Sequence, residues 1–103
     1  MKVTMILLFA VTTFTHVQAQ TWPVKPVRII VPNAPTGLAD VTARVLAVKL
    51  TESLGQQFIV DNRAGAGSTL GTAAAVRAPA DGYTLLVVLD SHSTNLHLFK
   101  SLD

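Results

Sequence analysis

The sequence contains no cysteine, few aromatic residues and few charges. Without Cys among its 103 residues, disulfide frameworks, thiolate zinc sites and cysteine nucleophiles are excluded. Charged residues make up 14% of the chain, and its eight Lys and Arg are spread along it without a basic run. The net charge of +2 is therefore not concentrated in a basic patch of the kind that binds nucleic acid. Half of the residues are hydrophobic and the length allows one domain at most, so stability has to come from packing.

The first residues have the pattern of an export signal. Lys2 supplies a positive charge, residues 3–14 are apolar apart from threonines, and Ala19 ends a Val-Gln-Ala sequence of the kind that signal peptidase reads. The apolar run is shorter than the ~20 residues that span a bilayer, which disfavours an uncleaved anchor. We therefore expect residues 1–19 to be a signal peptide, cleaved between Ala19 and Gln20, and residues 20–103 to work outside the cytoplasm.

Three short apolar runs in the remaining chain predict β-strands. The β-branched run Val27–Val31 predicts the first strand, and residues 57–61 and 83–89 predict the second and third. The third run is almost wholly apolar, as strands of a parallel sheet covered on both faces are. Trp22, in the proline-rich stretch before the first strand, is expected to pack against the domain edge.

Helical spacing predicts two helices between these strands. The first covers residues 38–54 and ends at Gly55; its wide apolar arc predicts protein cover on more than one side, with Asp40 and Arg44 as a weak surface pair. The second runs to about residue 78, with Ala73 to Ala75 allowing close approach to the sheet and Ser68 or Thr69 capping its start. Alternating strands and helices predict a parallel α/β sheet with right-handed crossovers, and residues 96–102 begin a further helical pattern.

Small polar residues follow all three predicted strands. In open α/β sheets ligands bind at this carboxyl edge, where backbone amides and helix N-termini suit a carboxylate or another small anion. Ordinary α/β turns need the same residue types, so composition leaves both interpretations open. The candidate donors are amides near Thr36, Gly37, Gly65 and Gly67, and the hydroxyls of Ser68, Thr69, Ser91, Ser93 and Thr94.

Patterns typical of enzymes and metal sites are poorly matched. Residues 90–92 contain Asp, Ser and His, but consecutive side chains diverge, and the sequence has no Gly-x-Ser-x-Gly elbow. His92 and His97 lack the spacing and the glutamate of a zinc-binding helix. The glycine pattern that begins at Gly65 has one residue too many for a dinucleotide fingerprint. We expect no cofactor and no metal, and a nucleotide-dependent α/β enzyme is the weaker alternative.

Four segments carry a family resemblance that covers nearly the whole chain after the export signal. They read PVKPVRIIVP at 23–32, APTGLAD at 34–40, NRAGAGSTLG at 62–71 and ADGYTLL at 80–86. In this order and spacing they resemble the N-terminal part of the Bug family, the periplasmic solute-binding proteins of tripartite tricarboxylate transporters.

The resemblance implies a fold and a function. The fold is the partial first lobe of a type II-like periplasmic-binding-protein fold, an α/β unit of three mostly parallel strands alternating with two helices. The function is non-enzymatic capture, in the periplasm, of small carboxylates or related organic acids for membrane permease subunits. By the same match, the loop at 34–40 touches the ligand carboxylate and two further loops line the cleft. The ligand-binding candidates are Ala34, Pro35, Thr36, Gly37, Asp40, Gly65, Gly67, Ser68, Thr69, Ser91, Ser93 and Thr94.

The sequence also departs from the family pattern. Thr36 stands where the family usually has a glycine, so a positive φ there would strain the backbone by ~1 kcal/mol or more. Ala64 replaces a usual proline. Family chains continue through a second lobe, so residues 20–103 are expected to form an incomplete N-terminal lobe that binds acids weakly or not at all and is marginally stable or prone to associate. The alternative is an exported remnant that has lost binding.

Overall fold

The computed structural model describes residues 19–90 and 92–94. Its central feature is a parallel sheet of three strands, β1 (Val27–Val31), β2 (Phe58–Asn62) and β3 (Thr84–Leu86), in the order β2-β1-β3. Helix α1 (Leu38–Leu54) joins β1 to β2, and helix α2 (Thr69–Arg77) joins β2 to β3. The predicted parallel α/β alternation is therefore confirmed. The predicted export signal at residues 1–18 and the helical pattern at 96–102 lie outside the described residues.

Strand β1 lies at the centre of the sheet and of the core. Its residues are β-branched apart from Arg28, and all but Arg28 are buried. Val27, Ile29 and Val31 point to one face, where they pack with the alanines of α1 and with Phe58. The connection from β1 to β2 moves across the sheet in one direction, and the connection from β2 to β3 moves back in the other. Right-handed crossovers therefore put α1 and α2 on opposite faces of the sheet.

The second and third strands differ from their predicted bounds. Strand β2 is displaced by one residue, because its ladder with β1 runs from Phe58 opposite Val27 to Asn62 opposite Val31. Strand β3 is shorter than residues 83–89. The ladder ends soon after Ile30 pairs with Leu86, because β1 itself ends at Val31 and the following proline has no N–H.

The prediction that β3 is covered on both faces is wrong for the described residues. Residues Thr84–Leu86 are all half-buried, and β3 forms an outer strand of the sheet. Leu85 packs against the core and α2 also contacts the strand, but neither contact buries it fully.

Helix α1 has the predicted bounds but a different buried face. Ala39, Ala43 and Ala47 lie against the sheet, because a row of small side chains lets the helix axis approach the strands closely. The larger apolar side chains are exposed, Leu38 by 71% and Val45 by 59%. The prediction that the helix is covered on more than one side is therefore wrong for the described residues.

Helix α2 approaches the sheet at a glycine, not at its run of alanines. Ala73 to Ala75 are half-buried, whereas Gly71 is buried. A Cβ built on Gly71 would lie 2.6 Å from the Cβ of Pro32 and 2.7 Å from the carbonyl oxygen of Arg63. Gly71 therefore fixes the distance between α2 and the end of β1.

Trp22 packs at the amino end of the strands, as the sequence predicts. Its ring lies 6.2 Å from that of Phe58 in an edge-on arrangement and 6.2 Å from that of Tyr83. The Tyr83 hydroxyl also accepts a hydrogen bond from the Val24 amide at 3.0 Å. This aromatic contact closes the edge opposite the polar loops. No helix of the described residues is long and apolar enough to cross a membrane.

Candidate functional site

The loop between β1 and α1 is held in a strained conformation. Thr36 has a φ of 72°, in the left-handed region that disfavours β-branched residues. Its amide donates a hydrogen bond of 2.9 Å to Oδ2 of Asp40. The side chain at the start of α1 therefore folds the loop back over the first turn of its own helix. The suspected strain at Thr36 is confirmed.

Asp40 is buried at the centre of a polar network. Its Oδ2 also accepts a bond of 3.0 Å from Nε of Arg44, and its Oδ1 accepts one of 3.0 Å from Nδ2 of Asn62. Arg44 in turn donates through Nη2 to Oδ1 of Asn62 at 3.1 Å. The prediction of a weak surface pair between Asp40 and Arg44 is wrong, because Asp40 is only 3% exposed and bonded by three separate groups.

These donors hold the Asp40 carboxylate in its ionised form. The Arg44 hydrogen bond, followed by those of the Thr36 amide and Asn62, lowers the pKa of Asp40 from 3.8 to about 2, although burial alone would raise it. The carboxylate has donors on both oxygens inside the protein. Its geometry is that of a residue that positions the loop.

The loop between β2 and α2 is strained as well. Four consecutive residues have positive φ: Gly65 at 134°, Ala66 at 47°, Gly67 at 61° and Ser68 at 74°. The predicted capping of α2 by Ser68 or Thr69 is wrong, since no side chain caps this helix. The Ser68 hydroxyl instead accepts a hydrogen bond from Asn33, and the Thr69 hydroxyl donates to the carbonyl oxygen of Ala66 at 2.7 Å.

The two loops are bonded to each other. Nδ2 of Asn33 donates to the Ser68 hydroxyl at 3.2 Å, and Nδ2 of Asn62 donates to the carbonyl oxygen of Asn33 at 3.3 Å. The amide of Arg63 donates to the Val31 carbonyl oxygen at 2.8 Å. The carboxyl edge of β1 and β2 is thus one connected polar surface.

Only some of the predicted backbone donors remain available to a ligand. The amide of Thr36 is bonded to Asp40, and those of Ser68 and Thr69 are bonded to the carbonyl oxygens of Gly65 and Ala66. In contrast, an α-helix leaves its first N–H groups without intrahelical partners. No side chain caps the start of α1, at Gly37. The amides of its first turn are therefore the donors best placed for an anion.

The predicted site residues fall into two groups. Those of the first two loops lie side by side at the carboxyl edge, joined by the bond between Asn33 and Ser68. In the third loop Ser91 lies outside the described residues, while Ser93 donates through its amide and its hydroxyl to the carbonyl oxygen of Asp90. That these residues bind a ligand stays a prediction.

Three polar residues of the site were not predicted, namely Asn33, Arg44 and Asn62. Their hydrogen bonds connect segments that are far apart in the sequence. The signal for the two asparagines is their position, because each stands where a strand gives way to a loop of small residues. Arg44 was noted only for its spacing from Asp40. The partner that distinguishes it, Asn62, is 18 residues away and leaves no mark in a local pattern.

A separate groove of about 550 Å³ opens beside the second loop, between the end of β2 and one flank of α2. None of the predicted site residues lines it. Its walls carry the cationic side chains of two arginines beside apolar side chains, and they are formed by Asp61, Asn62, Arg63, Ala64, Leu70, Ala74 and Arg77.

Replacing Thr36 by glycine is expected to stabilise the chain by about 1 kcal/mol. Glycine adopts the observed positive φ without strain and keeps the amide that bonds to Asp40, while its greater freedom in the unfolded chain offsets part of the gain. Urea unfolding of Thr36→Gly measures the difference. The matched control is Thr42→Gly in the exposed face of α1, which should lose about 0.5 kcal/mol because the backbone there is helical. Destabilisation by both changes would contradict strain at Thr36.

Comparison with known proteins identifies related sequences and structures with the same fold. The family model described as "Tripartite tricarboxylate transporter family receptor" matches residues 42–103. Protein BugT of Bordetella pertussis is 52% identical over 86 residues, which are 84% of this chain and 26% of that protein. The chain thus spans about a quarter of the length of the curated relatives that it matches.

Solved structures of periplasmic binding proteins share the fold. MatC from Rhodopseudomonas palustris, determined with bound malate, superposes with a TM-score of 0.73 at 36% identity, over 79% of this chain and 28% of that one. A second R. palustris protein, determined with adipate, gives a TM-score of 0.62 at 38% identity, over 63% of this chain and 22% of that one. The chain belongs to the tripartite tricarboxylate transporter receptor family, whose Bug-named members it resembles in sequence.

Proposed function

We propose that the chain is the first-lobe part of an extracytoplasmic solute-binding protein that captures small carboxylates for a tripartite tricarboxylate transporter. Its family consists of solute-binding receptors and not of enzymes. Two relatives of known structure were determined with malate and with adipate, both dicarboxylates. These relatives support a ligand with at least one carboxylate group and partnership with membrane permease subunits.

The observation that carries the proposal is where the backbone strain lies. Among the described residues, the non-glycine residues with positive φ are Thr36, Ala66 and Ser68. All of them belong to the two loops at the carboxyl edge of β1 and β2. Strained backbone of this kind costs roughly 1–3 kcal/mol per residue and is concentrated in proteins at ligand and active sites. A selected binding surface accounts for its presence in these two loops.

The chemistry of the site suits a carboxylate group. The first-turn amides of α1 lie at the positive end of the helix dipole, directly after the loop at residues 34–37. We propose that Leu38 and Ala39 supply these amides, with Gly37 giving close access. Asp40 acts indirectly by fixing Thr36, because its own negative charge would repel an anion. The residues Gly65 to Thr69, together with Ser91, Ser93 and Thr94, would line the cleft.

Export is part of the proposal. A solute receptor of this family works in the periplasm, and the pattern of residues 1–19 is that of a signal peptide cleaved after Ala19. Residues 20–103 would then be the working part of the sequence, as one lobe of a two-lobed binding protein.

A titration followed by amide NMR tests the proposal. Adipate and malate are expected to shift the amide resonances of Gly37 to Ala39 with a dissociation constant of ~1 mM or weaker, because one wall of a cleft contributes only part of the contacts. Hexane-1,6-diol, which has the carbon chain of adipate without its carboxylates, should leave these resonances unchanged. If adipate shifts none of them, the chain is the non-binding alternative.

A substitution at the start of α1 identifies the donors. Leu38→Pro removes one first-turn amide at the helical position that tolerates proline best, after a residue with extended backbone, so the fold should persist. We expect it to raise the dissociation constant for adipate about tenfold, the loss typical of one hydrogen bond to a charged group. Leu38→Ala is the matched control that keeps the amide and should bind as the parent does. Equal binding by both variants would remove the helix terminus from the site.

A further inference from the structure

Removal of the export signal would make a glutamine the first residue of the chain. The expected cleavage site lies between Ala19 and Gln20, and both residues are exposed and outside any helix or strand. Exposed chain without regular structure is where proteases cut most readily. The cut would turn the backbone nitrogen of Gln20 into a free α-amino group. This step rests on the proposed function, in which residues 1–19 are removed on export.

The folded chain leaves this new terminus free to react. Gln20 and Thr21 are exposed, and Gln20 forms no hydrogen bond with the part of the chain that the structure describes. The chain is anchored from Trp22 onward, where the indole ring packs against the rings of Phe58 and Tyr83. The side chain of Gln20 can therefore turn back on its own nitrogen without disturbing the fold.

A terminal glutamine carries a nucleophile and an electrophile on the same residue. Its α-amino nitrogen can reach its own Cδ and close a small, unstrained lactam ring. Part of this amine is uncharged and nucleophilic at neutral pH, because α-amino groups have an ordinary pKa of about 8. We propose that Gln20 of the exported chain is a modification site, at which cyclisation to pyroglutamate blocks the N-terminus.

The reaction moves the side-chain acyl group of Gln20 from one nitrogen to another. The bond between the α-amino nitrogen and Cδ forms, and the bond between Cδ and Nε2 breaks. Ammonia leaves with one proton that the amine gives up. No atom is oxidised or reduced, so the reaction needs no oxidant, reductant or co-reactant. The product is a neutral amide, which removes the positive charge of the terminus.

The lost charge lies far from the candidate site but matters to a chain with few charges. Removal of residues 1–19 takes away Lys2 and leaves seven basic side chains against six acidic ones. The terminal amine is therefore a large part of the net positive charge, and cyclisation should lower the isoelectric point. Because Trp22 anchors the terminus at the amino end of the strands, opposite the polar loops, adipate binding should not change.

Mass spectrometry of the full-length chain, produced with its own residues 1–19 and recovered after export, tests the modification. The protein should be lighter than residues 20–103 with an open terminus by about 17 Da, the mass of the released ammonia. Fragment spectra should place the whole loss on Gln20. The exposed Gln57 is an internal control, because its backbone nitrogen is already part of a peptide bond and it should keep its full mass.

Gln20→Ser is the matched control, because serine leaves the terminus polar but has no carboxamide to cyclise. This variant should be cut after the same Ala19 and keep its full mass. An equal mass loss in Gln20→Ser would place the reaction elsewhere and overturn the proposal. Cleavage at another bond, or none, would overturn it too, because Gln20 would then never be terminal.

The modification and the ligand site give separate readouts. A chain that is cut after Ala19 and shifts its amide resonances with adipate, yet keeps an open Gln20 after incubation at neutral pH, would refute the modification alone. A cyclised chain that ignores adipate would support the modification and refute carboxylate binding.

Discussion

Gly71→Ala is expected to destabilise the chain by about 3 kcal/mol. The new Cβ would lie 2.6 Å from the Cβ of Pro32, 2.7 Å from its Cα and 2.7 Å from the Arg63 carbonyl oxygen. These neighbours are backbone atoms or a rigid ring, so no side-chain rotation relieves the overlap. Helix α2 would have to move away from the end of β1.

Urea unfolding and amide exchange measure this effect. Because α2 begins in the strained second loop, its displacement should also break the bond between Asn33 and Ser68, and the amides of α2 should exchange faster than those of α1. The matched control is Gly37→Ala, where the new Cβ would meet only the Ala34 carbonyl oxygen, at an ordinary 3.6 Å. A difference below about 0.5 kcal/mol between the two variants would show that α2 does not depend on close contact at Gly71.

The sequence predicts the elements of this fold well because their signals are local. The β-branched run of β1, bounded by Pro26 and Pro32, specifies a strand with its correct ends. Helix α1 ends at Gly55, as predicted, because this residue takes the left-handed conformation, with a φ of 73°, that closes a helix. Each of these features depends on residues adjacent in the chain.

The face that a helix buries is not a local property. Apolar residues occupy well over half of the circumference of α1, so periodicity alone could not tell the valine side from the alanine side. The structure buries the alanines, since small side chains bring the helix closest to the sheet, and exposes the valines. The same reason explains why Gly71, and not the alanine run after it, makes the close contact of α2.

The candidate site likewise combines features that the local sequence predicts with features that depend on distant parts of the chain. Small residues after β1 and β2 identify the two loops from sequence alone, and the structure joins them at one edge. The bonds that join them connect Asn33 with Ser68, 35 residues apart, and Asp40 with Asn62, 22 residues apart. Side-chain bonds over such separations depend on the register of the strands, which the pattern of a single segment does not encode.

Asp40→Asn is expected to lower the stability of the chain at about pH 7, and the loss should shrink as the pH falls. The three donors that meet at this carboxylate are the Thr36 amide, Nε of Arg44 and Nδ2 of Asn62. An asparagine offers one oxygen to them and turns its own NH₂ group toward another donor. The Thr36 amide should then exchange faster with solvent, because the bond that fixes its left-handed conformation is weakened.

The pH dependence follows from the direction of the pKa shift. The pKa of Asp40 is lowered from 3.8 to about 2 by folding, so the unfolded chain binds more protons between these values. The contribution of the carboxylate to stability is complete above about pH 4, decreases as the pH falls, and is lost below about pH 2. Urea midpoints of the parent and of Asp40→Asn should therefore converge across this window.

Glu52→Gln is the control for the loss of a negative charge as such. Its partner Lys49 lies 3.3 Å away, with both side chains exposed, and an exposed pair of this kind contributes less than about 1 kcal/mol. This variant should keep the acid dependence of the parent. If Asp40→Asn also keeps it, the buried carboxylate is not what makes the fold sensitive to acid. The network would then not hold the strained loop at the start of α1, because the loop's principal bond runs to that carboxylate.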